Sequence, residues 1–218
     1  GEIIGITGLV GAGRTEVIQA ICGIDKADSG EILIDGKKVS INSMGDAVKN
    51  GIGYVPESRL TEGLVLTKSA SDNITVTYLD KLKNKAGLIS LKKKDKSAEE
   101  WIEKLNIKPG YADMAAQKFS GGNQQRIVIA KWLATDPKIL IVDEPTNGID
   151  VGAKDEIHKL LRELASNGMG IIMISSELPE VLAISDKVLV MRRGRINAVL
   201  DGETATQETI MNAAILKA

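Results

Sequence analysis

The sequence predicts an α/β fold in which a mostly parallel sheet is flanked by helices. Short runs of aliphatic and β-branched residues alternate along the chain with longer amphipathic stretches, and this alternation is typical of repeated strand-helix-strand units. Several short runs are almost entirely apolar, which is the composition of strands buried on both faces of a parallel sheet.

Seven segments are predicted to be strands of this architecture: Ile3–Thr7, Glu31–Asp35, Ile52–Val55, Ile139–Val142, Ile171–Ser175, Val188–Met191 and Ile196–Leu200. Between the fourth and fifth strands, residues 151–167 place apolar side chains at helical spacing, so we expect a helix there. Asp150 is suited to cap the start of this helix, and Gly168 is suited to end it.

Residues 58–118 depart from the alternation and are predicted to form a helical insertion in the α/β core. Ser97–Ile107 is predicted to be a helix, because Ser97 and Glu100 have the spacing of a capping box. Residues 81–96 contain seven lysines and one acidic residue, Asp95. Such a run is either a solvated, mobile surface or a contact for acidic lipid or a partner.

The composition limits the classes of function. The chain has 218 residues, with 28 Lys and Arg against 29 Asp and Glu and a formal net charge of −1. This balance excludes a strongly basic protein that binds nucleic acid through bulk charge. A hydrophobic fraction of 43% is ordinary for a soluble globular protein, and no apolar run is long enough to span a bilayer.

The ends of the chain and its cysteine content add two expectations. Cys22 is the one cysteine, which excludes an internal disulfide and fits a reducing compartment. The chain begins at Gly1 with neither Met nor a signal peptide. We therefore interpret residues 1–218 as a single domain that is part of a longer protein.

The first strand runs into a glycine-rich loop, Gly-Leu-Val-Gly-Ala-Gly-Arg-Thr-Glu, and then into a helical pattern. A strand, such a loop and a helix form a phosphate-binding loop, in which glycines let backbone N–H groups point at phosphate oxygens. Arg14 replaces the consensus lysine and Thr15 stands where a hydroxyl would bind Mg²⁺. The residues predicted to contact nucleotide are Gly8, Gly11, Ala12, Gly13, Arg14, Thr15 and Glu16. Taken alone, this segment is also consistent with a glycine-rich turn that binds no ligand.

Two adjacent carboxylates, Asp143 and Glu144, follow the apolar strand Ile139–Val142. Acidic residues directly after a buried strand are costly unless they have a role. In phosphate-loop enzymes this position supplies an aspartate for the Mg²⁺ shell, and the next residue is suited to polarise an attacking water as a general base. The sequence therefore predicts Asp143 as a metal ligand and Glu144 as the base.

A third segment, Phe119–Arg126, reads Phe-Ser-Gly-Gly-Asn-Gln-Gln-Arg and opens another helical pattern. Ser120 is suited to cap this helix, and two glycines leave its first N–H groups open to an anion. The alternative is a glycine turn before an ordinary helix.

Together these segments resemble the ATP-binding cassette (ABC) ATPases, which have a P-loop NTPase core. Gly8–Glu16, Phe119–Gln125, Ile139–Glu144 and Pro145–Asp150 follow the order and spacing of that family over nearly the whole chain. The amino-acid sequences of these motifs are most similar to those in the second cassette of bacterial tandem ATPases, which drive importers for ribose, galactose, xylose and related sugars.

The resemblance implies ATP and Mg²⁺ as cofactors, a second cassette as partner, in the same chain or in a dimer, and membrane subunits that the helical insertion contacts. It implies a peripheral place at the cytoplasmic face of the membrane, with no direct contact to sugar or nucleic acid. In the family, two cassettes pair head to tail, so this chain's signature would act in trans on the partner's nucleotide. The residues to which this role transfers are Ser120, Gly121, Gly122, Asn123 and Gln124, together with Asp150 in the family's D-loop. The family's adenine-stacking strands precede the phosphate loop, so we expect the N-terminal antiparallel strands to be incomplete here.

Three positions depart from the family pattern. Arg14 replaces the phosphate-loop lysine, Glu57 stands about where the family has a glutamine, and Ser176 stands where the family has its switch histidine. Serine cannot supply a cationic imidazolium, and the one histidine, His158, is interpreted as a surface residue.

We therefore expect a transporter ATPase domain whose own site binds nucleotide but hydrolyses it poorly, with Glu144, Ser176 and Glu57 as its catalytic positions. Two alternatives stay open: a non-catalytic regulatory nucleotide-binding module, and a soluble ABC ATPase of DNA repair or translation.

Overall fold

The computed structural model describes residues 1–216, which form two units. Unit 1 comprises residues 1–54, 138–145 and the chain from His158 onward, and unit 2 comprises residues 55–137 and 146–157. No helix within the described residues is both long enough and apolar enough to cross a membrane.

Unit 1 is built on a six-stranded sheet in the order β4-β5-β6-β1-β7-β8. β1 is parallel to both β6 and β7, β5 is parallel to β6, and β8 returns antiparallel to β7. The central strands are buried because their side chains are aliphatic on both faces, with Leu140, Ile141 and Val142 fully inaccessible. The strands are β1 Ile3–Gly8, β4 Ile52–Val55, β5 Ile139–Asp143, β6 Gly170–Ile174, β7 Lys187–Arg192 and β8 Arg195–Asp201.

The predicted α/β architecture with a mostly parallel sheet is confirmed, and each predicted strand is present within one or two residues of its expected bounds. A further strand was missed. β2 Ile32–Ile34 pairs antiparallel with β3 Lys37–Val39 across a turn in which Asp35 and Gly36 both have positive φ. The Asp-Gly pair is a hairpin signal, but β3 has a single apolar residue and therefore no strand periodicity.

Helices cover the sheet of unit 1. They are α1 Arg14–Ile21, α2 Met44–Lys49, α7 Leu178–Ile184 and α8 Gln207–Ile215, and α6 Val151–Ser166 begins in unit 2 and ends in unit 1. The bounds of α6 agree with the prediction. The Ala153 N–H donates to Asp150 Oδ1 at 3.0 Å, and Gly168 ends the helix with φ of 96°.

Unit 2 is helical. It contains α3 Ala70–Thr75, α4 Leu91–Lys104, α5 Gly121–Leu133, two 3₁₀ segments at Val76–Leu82 and Ala116–Lys118, and a π-helical turn at Arg59–Gly63.

The helix predicted over Ser97–Ile107 begins six residues earlier than expected, at Leu91. Ser90, rather than Ser97, caps it by accepting from the Lys93 N–H at 3.4 Å. The lysines of this segment are good helix formers. Lys92, Lys93 and Lys96 are exposed, whereas the Lys94 side chain is 16% exposed and pairs with Asp72. Ala98 and Ile102 are buried.

Lys131 is a buried cation on α5. Its side chain is 8% exposed, and Nζ donates to the Gly63 carbonyl at the end of the π-helical turn. Burial lowers the pKa of Lys131 from 10.5 to about 8, because the charged form loses hydration.

Lys131→Met tests this pKa. A folded-state pKa below the unfolded value means that the unfolded chain binds more protons between pH 8 and 10.5, so the free energy of unfolding rises with pH in that window and is flat below it. Relative to Lys131→Met, we expect the wild type to gain at most about 3 kcal/mol across the window. Urea unfolding at a series of pH values measures the difference, and parallel curves for the two proteins would contradict the prediction.

Candidate functional site

The predicted phosphate loop, the acidic pair and the switch position all follow parallel strands of unit 1. Ile174, at the end of β6, is in register with Ile6 on one side and with Asp143 on the other. Because parallel strands end at the same edge of a sheet, the segments after β1, β5 and β6 meet there. The structure thus brings Gly8–Glu16, Asp143, Glu144 and Ser176 together at one edge.

The loop after β1 is shaped by glycine. A Cβ on Gly8 would lie 2.3 Å from the Met191 carbonyl oxygen, and Gly13, the N-cap of α1, has φ of 93°. No side chain caps α1, and its first backbone N–H groups are therefore available to a ligand. A helix N-terminus of this kind favours an anion.

Arg14, the first residue of α1, lies at this edge of the sheet and is largely buried. Its Nη1 is 3.8 Å from Glu144 Oε1, and the two side chains are only 13% and 14% exposed. Among the described atoms Nη1 is buried without a hydrogen-bond acceptor. A buried guanidinium nitrogen without an acceptor is suited to an incoming anion such as a phosphate oxygen.

Glu144 is held by the backbone of its neighbours. Its own N–H donates to the Ile174 carbonyl at 2.9 Å, and its Oε1 accepts from the Ser176 N–H at 2.8 Å. Its φ of 45° is a left-handed conformation, which costs a non-glycine residue about 1–3 kcal/mol and is often found at functional sites. Burial raises the pKa of Glu144, and Ser176 and Arg14 offset part of that rise.

Asp143 and Thr15 offer oxygen ligands in the same unit. Asp143 ends β5 and is 1% exposed, and Thr15 lies in the first turn of α1. A carboxylate and a hydroxyl are hard oxygen donors of the type that Mg²⁺ prefers, so these residues fit the predicted metal.

The structure contradicts the interpretation of His158 as a surface residue. His158 is on α6 with its side chain 16% exposed, and its Nε2 lies 2.8 Å from Oε1 of Glu180, whose side chain is 3% exposed. The other carboxylate oxygen of Glu180 accepts from Ser175 Oγ at 2.5 Å, so the histidine connects to the residue before Ser176. The helical wheel of α6 showed its apolar stripe but not the buried acid that α7 brings to it.

The signature segment begins α5 in unit 2. Ser120 caps this helix, and its Oγ accepts from Asn123 N–H at 3.5 Å and from Asn123 Nδ2 at 2.9 Å. Asn123 Oδ1 in turn accepts from the Lys108 N–H at 2.7 Å. With both of its acceptor positions used, the Ser120 hydroxyl keeps its proton for an outside acceptor.

The remaining predicted residues of unit 2 differ in accessibility. Gln124 is buried and its Nε2 donates to the Ala116 carbonyl at 3.2 Å. Glu57 is exposed just after β4, and Asp150 is exposed at the start of α6, where it serves as a cap.

Two groups of predicted residues therefore result, one in each unit. Unit 1 holds the phosphate loop with Asp143, Glu144 and Ser176, and unit 2 holds Glu57, Ser120–Gln124 and Asp150. Sequence reasoning missed Glu180, a carboxylate in the short helix α7, and Arg59, which contacts both the start of α5 and the segment before α6. Neither residue belongs to a periodic pattern or a motif that singles it out.

Most of the chain matches the model of a known protein family. The family described as ABC transporter matches residues 1–147. The ribose import ATP-binding protein RbsA of Oceanobacillus iheyensis is 51% identical over 214 residues, and RbsA of Bacillus subtilis is 48% identical over 214 residues. In both cases the match covers 98% of this chain and 43% of the relative, so the chain spans less than half the length of these relatives.

Solved structures show the same fold. cbiO1 of Clostridium perfringens, part of the ABC transporter complex cbiONQ, superposes with a TM-score of 0.77 at 27% identity, covering 98% of this chain and 81% of that one. A dimeric post-hydrolysis ATP-binding cassette bound to ADP and Pi superposes with a TM-score of 0.75 at 24% identity, covering 92% of this chain and 85% of that one.

The close approach of α5 to α6 makes Gly122 a test of the signature helix. A Cβ on Gly122 would lie 2.7 Å from Ala153 Cβ, a distance that forces the two elements apart. We expect Gly122→Ala to lower the free energy of unfolding by about 1–3 kcal/mol, even though alanine favours helix. Denaturant unfolding followed by circular dichroism measures the change.

Gly110→Ala is the matched control in the same unit, because its Cβ would meet only Ile102 Cγ2, at 3.8 Å. The control should change stability by no more than about 0.5 kcal/mol. Equal stability of the two variants would contradict the packing argument.

Proposed function

The chain belongs to the ABC transporter family, and we propose that it is a nucleotide-binding domain that couples ATP binding and hydrolysis to the import of a monosaccharide. The observation that carries this proposal is the edge of unit 1, where a cap-free helix N-terminus, the buried Nη1 of Arg14 and the carboxylate of Glu144 converge. The identity of about half of the residues with ribose import ATP-binding proteins supports sugar import as the process.

The geometry of unit 1 supports the following assignment of its chemistry. The loop Gly8–Gly13 and the first N–H groups of α1 bind the phosphates of ATP, and Arg14 Nη1 pairs with one of their oxygens. Thr15 and Asp143 would hold Mg²⁺, which would neutralise phosphate charge. Glu144 orients and polarises the attacking water, and its raised pKa makes the carboxylate a better base.

The residues of unit 2 act on the nucleotide of a second cassette. We assign Ser120 to donate a hydrogen bond from its hydroxyl to the γ-phosphate of the nucleotide on a second cassette. The N–H groups at the start of α5 assist it. Asp150, at the start of α6, links the nucleotide site of this chain to the nucleotide site of the second cassette. The partner cassette is in the same chain or in a dimer, and the assembly binds membrane subunits at the cytoplasmic face, where this domain is peripheral.

Two substitutions in the full-length protein test the proposal. Ser120→Arg places a bulky cation where the partner's phosphate binds, and Glu144→Gln removes the base of the chain's own site. We expect Ser120→Arg to lower ATP turnover and sugar uptake about tenfold or more, and Glu144→Gln to lower turnover by a smaller factor. Steady-state phosphate release and uptake of labelled ribose measure both.

The matched controls are Ser166→Arg and Glu163→Gln, which change exposed residues near the end of α6. Both should keep wild-type turnover. The assigned roles are wrong if neither Ser120→Arg nor Glu144→Gln changes turnover or uptake.

A second candidate function is that of a regulatory module whose own site binds nucleotide without hydrolysing it well. The observation that favours it is the Arg14–Glu144 ion pair, because a guanidinium beside the base opposes proton uptake by that carboxylate. Ser176 adds to this interpretation. It binds Glu144 through its backbone N–H and carries no imidazole for the γ-phosphate.

Restoring the family residues distinguishes the two functions. If the chain is a regulatory module, the double variant Arg14→Lys with Ser176→His should raise turnover at this chain's site about tenfold or more. The reason is that the loop can wrap around the compact lysine ammonium and the histidine can contact the γ-phosphate. The measurement is turnover in a full-length protein whose partner site carries a base-to-amide substitution. Rapid hydrolysis by this site before the substitutions would count against a regulatory role.

A further inference from the structure

Arg59 joins two segments of unit 2, one beside Ser120 and the other just before Asp150. Its Nη1 donates to the Asn147 carbonyl at 2.5 Å, and its Nη2 donates to the Gly148 carbonyl at 2.8 Å. Its Nε lies 3.4 Å from Gln124 Oε1 on α5. One side chain therefore holds the segment before Asp150 and the first turn of the signature helix.

The two segments are shaped to receive this guanidinium. A Cβ on Gly121 would lie 3.0 Å from Arg59 Nη2, and a Cβ on Gly148 would lie 3.4 Å from both Nη1 and Nη2. Gly148 also has φ of 64°, which turns its carbonyl toward the arginine at little cost only because it is glycine. These contacts explain the small residues on both sides of the guanidinium.

The backbone around Arg59 is itself unusual. Arg59 is the first residue of the π-helical turn Arg59–Gly63, and Ser58 caps that turn. Such turns are rare and are frequently found at functional sites. Only Ser58 separates the turn from Glu57, so the guanidinium is anchored next to the position where the family pattern places its glutamine.

The chemistry of the contact requires arginine. A planar guanidinium donates in two parallel directions and matches two carbonyls that are adjacent in the chain, whereas an ammonium group is a single point charge. Burial lowers the pKa of Arg59, but the guanidinium keeps its proton throughout the physiological range.

We propose that Arg59 is a positioning residue that locks Asn147 and Gly148 against the start of α5, so that Ser120 and Asp150 meet the partner cassette in one fixed arrangement. This inference rests on the proposed function, in which Ser120 and Asp150 act toward the second cassette. Without the guanidinium two backbone carbonyls lose their donor, and the segment before α6 is free to move relative to the signature. The loss falls on the partner's reaction, because the phosphate loop of this chain belongs to unit 1.

Arg59→Ala in the full-length protein tests the proposal. We expect kcat for ATP to fall about tenfold or more while KM changes less than about twofold, because the lost interaction orders the reacting state and not the bound nucleotide. Fluorescent ATP should bind unchanged to the phosphate loop of this chain. The matched control, Arg162→Ala, removes an exposed arginine on α6 and should keep wild-type kcat.

Chemical rescue separates positioning from folding. Because Arg59 is only partly buried, free guanidinium can enter the space that alanine leaves, and millimolar guanidine hydrochloride should restore kcat several-fold where urea does not. Arg59→Lys, which keeps the charge but not the fork, should stay at about one third of wild-type kcat or below. If Arg59→Ala does not fold, the kcat of Arg59→Lys decides the proposal.

Three results would overturn the inference: wild-type kcat in Arg59→Ala, full activity in Arg59→Lys, or a folded Arg59→Ala that guanidine does not restore. Measuring Ser120→Arg in parallel shows whether a negative result contradicts the positioning role of Arg59 or the proposed function. If Ser120→Arg abolishes turnover and Arg59→Ala does not lower it, the positioning role is wrong and the proposed function stands. If neither lowers turnover, the proposed function itself is wrong.

Discussion

The parallel pairing of β1, β6 and β5 is the constraint on which the candidate site of unit 1 depends. Three chain segments that are far apart in sequence end at one edge because Ile6, Ile174 and Asp143 lie in register across these strands. The strands can pair in this way because their side chains are aliphatic on both faces and are buried. The polar groups of the candidate site therefore lie at the carboxyl ends of these strands and in the segments that follow them, where Arg14 at the start of α1 approaches Glu144.

Burial gives the charged groups of this edge their properties. Glu144 is desolvated, which raises its pKa. Its backbone N–H donates to the Ile174 carbonyl and its side chain accepts from the Ser176 N–H, so the end of β6 holds both its backbone and its carboxylate. Such preorganisation suits the role proposed for Glu144, since a preorganised group acts without rearrangement. The same low exposure strengthens the influence of Arg14 on Glu144, since charges separated by 3.8 Å interact more strongly away from water. The Arg14 guanidinium thus both favours an anionic ligand and opposes proton uptake by Glu144.

In unit 2 the corresponding constraint is close packing around glycine. Gly122 allows α5 to approach Ala153, and Gly121 and Gly148 leave room for the Arg59 guanidinium. Ser120 and Asn123 satisfy each other at the start of α5, so the signature differs from its family pattern without losing its cap. The geometry of the signature is therefore maintained by neighbours outside the motif, and Arg59 and Lys108 are the clearest of these.

The sequence by itself determined the α/β class, the strand positions, the helix after Asp150 and the motifs of the phosphate loop, the acidic pair and the signature. These features are local, because periodicity, caps and glycine spacing are written in consecutive residues. Only the tertiary structure decided that α4 starts at Leu91, that Lys37–Val39 forms a strand, that His158 pairs with buried Glu180, and that Arg59 holds Asn147 and Gly148. The Ser90 cap and the Asp35-Gly36 turn are local, but the residues beside them, 91–96 and 37–39, carry too few apolar side chains to form a periodic pattern. The contacts of His158 and Arg59 depend on partners from distant parts of the chain, and burial and hydrogen bonding between such partners have no signature in the residues on either side.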